Sequence, residues 1–262
     1  MAVRKEAWPE GCPAWTDLMV SNLEASQEFY RQLFGWEFQQ ADPQYGGYSN
    51  AMIGGETVAA LYPTMPGAGD VPHQWLTYLA VGDAAATADK VKEAGGQVHV
   101  EPMQVGSYGT MSVFGAPDGA AFGTWQAGEH TGYTRVNEHG SVIWNEMMSR
   151  DYERARVFYT DVFGYSYDDI GDDTFTYATI KLGDRIVGGI GMLDENTPAE
   201  VPSFWGVYFG SDDVDASLAR VAELGGRVVR EPRDSTYGRM ATAAGPDGEY
   251  FSLISAQRPW QA

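Results

Sequence analysis

The chain has a single cysteine, Cys12, among 262 residues. It therefore carries no internal disulfide and no Cys-x-x-Cys metal motif. Basic residues are also scarce: 17 Lys+Arg stand against 36 Asp+Glu, a formal net charge of −19. Binding to a phosphate backbone needs clustered Lys and Arg, so the balance argues against nucleic acid and equally against an anionic membrane surface. No stretch approaches the ~20 apolar residues of a membrane span, and MAVRKEAWPEG lacks the apolar core of a signal peptide. The expectation is a cytoplasmic protein, monomer or homodimer, without membrane or nucleic-acid partners. There is no Gly-x-Ser-x-Gly elbow, and Cys12 has no His nearby, which leaves nucleophilic catalysis unsupported. Glycine pairs such as Gly54-Gly55 lack the Lys and Ser/Thr of a phosphate loop. What the chain does have is 44% hydrophobic residues and 13% aromatics, enough for a folded core despite the acidity.

A repeat organises those residues. Trp15-Thr-Asp-Leu-Met returns as Trp144-Asn-Glu-Met-Met, and Phe29-Tyr30 as Phe158-Tyr159, at an offset of 129 positions. The same offset relates Phe34-Gly35-Trp36 to Phe163-Gly164-Tyr165 and Pro117-Asp118-Gly119 to Pro246-Asp247-Gly248. The chain is thus read as two copies, residues 10–128 and 140–257, joined by a linker at 129–139. Within the first copy, 15–20 reads as a strand and Ser21-Asn-Leu-Glu24 as a capping box. The following helix places Leu23, Phe29, Tyr30, Leu33 and Phe34 on one side and stops at Gly35. Strands are expected at 36–39, 48–53 and 57–62, after which the order strand, helix, three strands recurs from Trp75. Four β-α-β-β-β modules result, an α+β fold.

The strand leading into Asn22-Leu23-Glu24-Ala25-Ser26-x-x-Phe29-Tyr30, then Phe34-Gly35-Trp36, Ala94-Gly95-Gly96 and the late Pro-Asp-Gly turn resemble the vicinal oxygen chelate superfamily. That superfamily includes glyoxalase I, fosfomycin- and bleomycin-resistance proteins and extradiol dioxygenases. The resemblance covers both copies and implies two tandem glyoxalase-like domains forming half-open barrels. More narrowly, the chain looks like bacterial two-domain members labelled glyoxalase-like or hydroxylase, some of them found with polyketide-antibiotic pathways. The family's usual chemistry uses a divalent metal held by His, Gln or Glu at matched strand positions. Carried over, those positions are Trp15, Ala60, Leu76 and Gly123 in the first copy, and Trp144, Gly189, Gly206 and Ser252 in the second. They do not supply a usable set of donors. His130 and His139 fall in the linker, and His73 and His99 have no partner at ligand spacing. The expectation is therefore a cavity with neither metal nor other cofactor.

The metal positions that the resemblance implies indicate which side of each strand faces inward, and alternation then gives what lines each cavity, because residues i, i+2 and i+4 share a face. Trp15, Asp17 and Met19, with Tyr62 and Tyr78, line one; Trp144, Glu146 and Met148, with Tyr208, line the other. Glycines at 189, 191, 206 and 210 make room. Aromatic walls suit planar hydrophobic ligands, and with the polyketide link that the resemblance implies, the expected partner is an aromatic or polyketide-like small molecule. Asp17 and Glu146 are the candidate catalytic residues: an acid in an apolar pocket has a raised pKa suited to a general base or acid. Each could instead close a structural hydrogen-bond network. Tyr78 and Tyr208 orient a substrate carbonyl or fill space, and Trp15 and Trp144 stack on a ligand or plug the cavity. Arg239, which is Thr110 in the other copy, either receives an anionic oxygen or makes a surface ion pair. Two functions follow: a metal-independent enzyme of hydroxylation-linked, isomerisation or cyclisation chemistry, or a protein that sequesters such a compound.

Overall fold

Among the described residues, four polar side chains open four α-helices. In a computed structural model describing residues 3–40, 43–65, 72–195 and 197–256, Asn22, Asp83, Asp151 and Asp213 each accept a backbone N–H from three residues on. After them run α1 (Leu23–Phe34), α2 (Ala84–Glu93), α3 (Tyr152–Phe163) and α4 (Val214–Glu223). Gly35 and Gly164 end α1 and α3 at φ 71° and 72°, in the left-handed region that favours glycine. The capping residue of α1 is Asn22, one position after the Ser21 of the expected capping box. Ser21 serves another purpose: it donates its backbone N–H to Asp247 Oδ2 at 2.7 Å and its hydroxyl to Oδ1.

The first copy supplies β1 (Pro13–Val20), β2 (Glu37–Phe38), β3 (Ser49–Ile53), β4 (Glu56–Pro63), β5 (Trp75–Ala80), β6 (Gln97–Val105), β7 (Gly109–Gly115) and β8 (Ala121–Ala127). The second supplies β9 (Val142–Ser149), β10 (Ser166–Asp169), β11 (Tyr177–Leu182), β12 (Arg185–Met192), β13 (Phe204–Ser211), β14 (Arg227–Ser235), β15 (Gly238–Ala244) and β16 (Tyr250–Ser255). Each copy folds into one eight-stranded sheet, in the orders 2-3-4-1-5-8-7-6 and 10-11-12-9-13-16-15-14. The two modules of a copy therefore share a sheet through β1 and β5, or β9 and β13, which run antiparallel. Neither sheet closes on itself. The two copies expected from the repeat are present, each an open sheet like the half-open barrel that the family resemblance implies.

Alternation along β1 separates two faces. Thr16, Leu18 and Val20 are fully buried on the convex side, where the helices pack between the two sheets, α1 beside α4 and α2 beside α3. Phe34 lies 5.3 Å from Phe209 between ring centroids, and Trp36, fully buried, donates its indole N–H to the Gly140 carbonyl at 2.7 Å. The repeated Pro-Asp-Gly turns join the copies reciprocally, Asp247 holding Ser21 and Asp118 accepting the Ser149 hydroxyl at 2.5 Å. Beside them Tyr30 donates its hydroxyl to Glu249 Oε1 at 2.7 Å, both residues fully buried. Tyr30→Phe leaves that carboxyl oxygen without its donor, and we expect a loss of about 1–3 kcal/mol in urea unfolding. A denaturation midpoint equal to the wild type would contradict the assigned role of this contact.

Candidate functional site

The residues left over from the convex face line two cups. In the first, Asp17 sits opposite Ala60 on β4 and Leu76 on β5, while Trp15 sits opposite Tyr78, which in turn faces Gly123 on β8. Met19 lies opposite Tyr62. Tyr48, at the entrance to β3, links these groups: the Trp15 indole N–H donates to its hydroxyl at 2.7 Å, and that hydroxyl donates to Asp17 Oδ2 at 3.0 Å. Asp17 is 4% exposed, and its Oδ1 makes no hydrogen bond with any described residue. Burial pushes its pKa up to about 7, against the opposing pull of the Tyr48 and Tyr78 hydroxyls nearby. Trp15 and Tyr78 are 3% and 4% exposed. His130 and Tyr133 close over Trp15, at 4.5 and 5.5 Å between ring centroids, and Tyr62 stacks on Tyr48 at 5.7 Å. His130, which the sequence places in the linker, thus stands at the first cup. Its Nδ1 accepts the Gly132 N–H at 3.1 Å, its Nε2 is buried without a partner, and burial lowers its pKa to about 4, leaving the ring neutral.

The second cup repeats the arrangement, with Phe175 stacked on Tyr177 at 5.1 Å between ring centroids. Trp144 donates to the Tyr177 hydroxyl at 2.9 Å, and Tyr177 donates to Glu146 Oε2 at 3.0 Å. Tyr208 donates to the other oxygen, Oε1, at 2.6 Å. Both carboxyl oxygens of Glu146 are therefore engaged by phenols. Burial raises its pKa; the two phenols and the positive charges of Arg230 and Arg233 partly oppose that rise. Met148 lies opposite Gly191 and Phe204. Trp144, Glu146, Met148 and Tyr208 are all half-buried, as Met19 is in the first cup.

The structure thus brings together Trp15, Asp17, Tyr62 and Tyr78 in one cup and Trp144, Glu146, Met148 and Tyr208 in the other. Gly210 is not part of a cup wall: the Glu138 carbonyl and the Ile143 side chain fill the space where its side chain would point. Arg239 makes ion pairs with Asp215 and Asp234, the surface reading of that residue. Strand alternation overlooked Tyr48 and Tyr177, although the 129-residue offset already related them. It also overlooked Arg230 and Arg233.

The fold family's metal can be tested against these positions. Gly123 and Gly189 stand where donors would be, and tyrosines have taken the space: a Cβ at Gly123 would lie 2.3 Å from the Tyr78 ring, and one at Gly189 would lie 1.8 Å from the Tyr177 hydroxyl. Trp15, Ala60, Leu76, Trp144 and Gly206 bring no imidazole or carboxylate, and Ser252 brings only a hydroxyl. Among the described residues no three His, Cys, Asp or Glu side chains are grouped to hold an ion. The residues present do not fit the family's divalent metal.

The model of the Glyoxalase/Bleomycin resistance protein/Dioxygenase superfamily matches residues 13–123 and 142–253. The chain is 40% identical over 259 residues to the putative glyoxylase CFP32 of Mycobacterium bovis, covering 96% of this chain and 97% of that one. It is 36% identical over 265 residues to the anthracycline biosynthesis protein DauV of Streptomyces sp. strain C5, covering 96% of each. Among solved structures, the Mn(II)-bound glyoxalase from Novosphingobium aromaticivorans superposes with a TM-score of 0.67 at 19% identity, covering 95% of this chain and 84% of that one. The 2,3-dioxygenase LapB from Pseudomonas sp. KL28 superposes at 0.63 and 15%, covering 96% and 93%. These two likenesses are of fold. No helix among the described residues is long and apolar enough to cross a membrane.

Proposed function

The chain belongs to the Glyoxalase/Bleomycin resistance protein/Dioxygenase superfamily, and from that premise we propose that it is a metal-independent enzyme acting on a hydrophobic aromatic or polyketide-like small molecule. The observation that carries this reading is the Trp144–Tyr177–Glu146–Tyr208 hydrogen-bond chain, with its Trp15–Tyr48–Asp17 counterpart. A carboxyl whose pKa burial raises, and which phenols hold in place, is suited to proton transfer. Such a group removes a proton from carbon α to a ligand carbonyl, and the C–H electron pair passes into an enolate. Returned to a different carbon, the proton gives an isomer. If the enolate carbon instead bonds to a carbonyl carbon within the ligand, the new alkoxide takes the proton and a ring closes. Both balance without an oxidant. The relatedness to an anthracycline biosynthesis protein supports a polycyclic aromatic ligand and a role in tailoring such compounds.

The second reading is sequestration without turnover. It draws support from Glu146, whose two oxygens are both already engaged by phenols. A planar polyketide quinone mixed with the protein should quench tryptophan emission and be recovered as an isomer or cyclised product of unchanged mass. Quenching with unaltered compound returned decides for sequestration. Dialysis of active protein against EDTA should leave turnover unchanged within twofold, roughly the scatter of such assays; stoichiometric Fe, Mn, Ni or Zn in the active preparation would sink metal independence.

A further inference from the structure

Asp17 and Glu146 each accept from a phenol that an indole in turn engages, but the cations around the two acids differ. β14 reads Arg-Val-Val-Arg-Glu-Pro-Arg where β6 reads Gln-Val-His-Val-Glu-Pro-Met, so Arg230 and Arg233 stand in place of Val100 and Met103. Residues three apart on a regular strand point to opposite faces. Here the pairing slips. Arg230 lies opposite Thr242 and Arg233 opposite Met240, so three steps along β14 match two along β15 and both arginines share one face. Trp144, Tyr208, Ser252, Thr242 and Arg230 are paired in succession across β9, β13, β16, β15 and β14, which makes that face the concave one. The β6–β7 pairing slips alike, with Val100 opposite Val113 and Met103 opposite Met111. The first cup therefore has two apolar side chains where the second has two guanidinium groups.

Around Glu146, β11 contributes Tyr177, β12 Gly189, and β13 Gly206 and Tyr208. β14 contributes the charges. Neither arginine makes an ion pair or hydrogen bond with another described residue, and their charges act through space on Glu146 and, for Arg233, on Tyr208. Other charged groups of the same sheet are engaged elsewhere. Asp168 pairs with Lys181 at 2.9 Å, Arg239 with Asp215 and Asp234, Arg227 lies over the Tyr250 ring, and Arg185 lies beside Cys12. Glu231 sits inside the slip, between the two residues that face the cup. Burial strips hydration from the charged form of a carboxyl, yet a base that takes a proton from carbon must carry that charge before the ligand reacts. Cations across a cup of low dielectric support it over distances at which no hydrogen bond forms. Val100 and Met103 bring no such charge to the first cup, where Asp17 holds its proton to about 7.

We propose that Arg230 and Arg233 are positioning residues of the reaction: from across the cup they hold Glu146 as a carboxylate, and so make the second cup the one that takes the proton. The proposal rests on the general-base reading above and adds the residues that set the charge of the base and the cup in which it works. Carboxyl carbon shifts of the full chain, labelled with ¹³C at glutamate, report the titration directly, the Glu146 signal being the one lost in Glu146→Gln. R230V/R233M, which installs the residues of the other copy, should move the Glu146 midpoint to higher pH. R230Q/R233Q, which keeps the rim polar but removes the charge, should do the same, and R230K/R233K should restore the wild-type midpoint. The acidic limb of the kcat profile should follow the carboxyl. At a fixed pH on that limb the uncharged variants should lose roughly three- to tenfold in kcat and recover at the alkaline plateau. A midpoint that both uncharged variants leave in place overturns the proposal while the general-base reading stands. A midpoint that moves while the limb stays fixed shows a carboxyl that is tuned but not used, which overturns that reading and the proposal with it.

Discussion

Asp17→Asn is expected to make the protein more stable than the wild type at pH 8 and to leave stability near pH 4 unchanged. The folded carboxyl holds its proton to about 7, while an ordinary aspartate releases it near 3.8. Between those values the folded state binds more protons than the unfolded chain, so stability falls as pH rises. The contribution is fully present below about pH 4 and is gone once pH passes 7. At about 1.4 kcal/mol per pH unit, the ionisation penalty has a ceiling near 4 kcal/mol. Asparagine keeps the shape, accepts the Tyr48 hydroxyl as Oδ2 does, and places an amide where Oδ1 already has no partner. Urea unfolding of both proteins from pH 4 to pH 8 measures the difference directly. The wild-type slope does not vanish in the variant, because burial raises Glu146 and Glu249 in the same direction. Curves that stay parallel over the whole range would show that Asp17 ionises normally.

This prediction depends on a residue that is legible in the sequence, and the reason is the duplication. Two copies at a constant offset identify an acid two positions after a tryptophan in each, and alternation, anchored on the metal positions that the family resemblance implies, assigns both to the concave face. Tyr48 and Tyr177 share that offset, but they stand at the entrance to a strand, where alternation does not say which way a side chain turns. Their role depends on reaching across β4 and β12 to the acid. Ser21 reads as a helix cap on local grounds alone, yet a carboxylate from the other copy competes for it, and Asn22 takes over the cap. Arg230 and Arg233 are hidden by a slip in the β14–β15 pairing, since three-residue spacing ordinarily separates two side chains across a sheet. The arrangement of the two sheets is hidden too. Tyr30, Phe34 and Trp36 read as an ordinary helix face and strand start, and nothing local indicates that they bury against Phe209 and Phe251 of the other copy. Local periodicity specifies elements; which copy an aromatic face meets depends on contacts more than a hundred residues away.

Glu146→Gln tests the chemistry itself. If Glu146 moves a proton, the variant should lose about 10²- to 10⁴-fold in kcat, the usual contribution of a positioned general base, with ligand affinity preserved within a few-fold. Glutamine has the same length, and its carbonyl oxygen accepts from Tyr208, the shorter of the two phenol contacts at 2.6 Å. Its amide cannot accept from Tyr177, whose hydroxyl already receives the Trp144 indole. Part of the hydrogen-bond chain is therefore lost, and Tyr177→Phe serves as the control that removes this phenol while keeping the acid. With a hydroxyl gone but the carboxyl in place, Tyr177→Phe should lower kcat far less than Glu146→Gln and shift the acidic limb of the kcat profile upward, because one stabilising donor to the carboxylate is missing. Equal losses in the two variants with an unmoved limb would assign the effect to cup geometry and remove the general base from the mechanism. An unchanged kcat in Glu146→Gln would remove it outright.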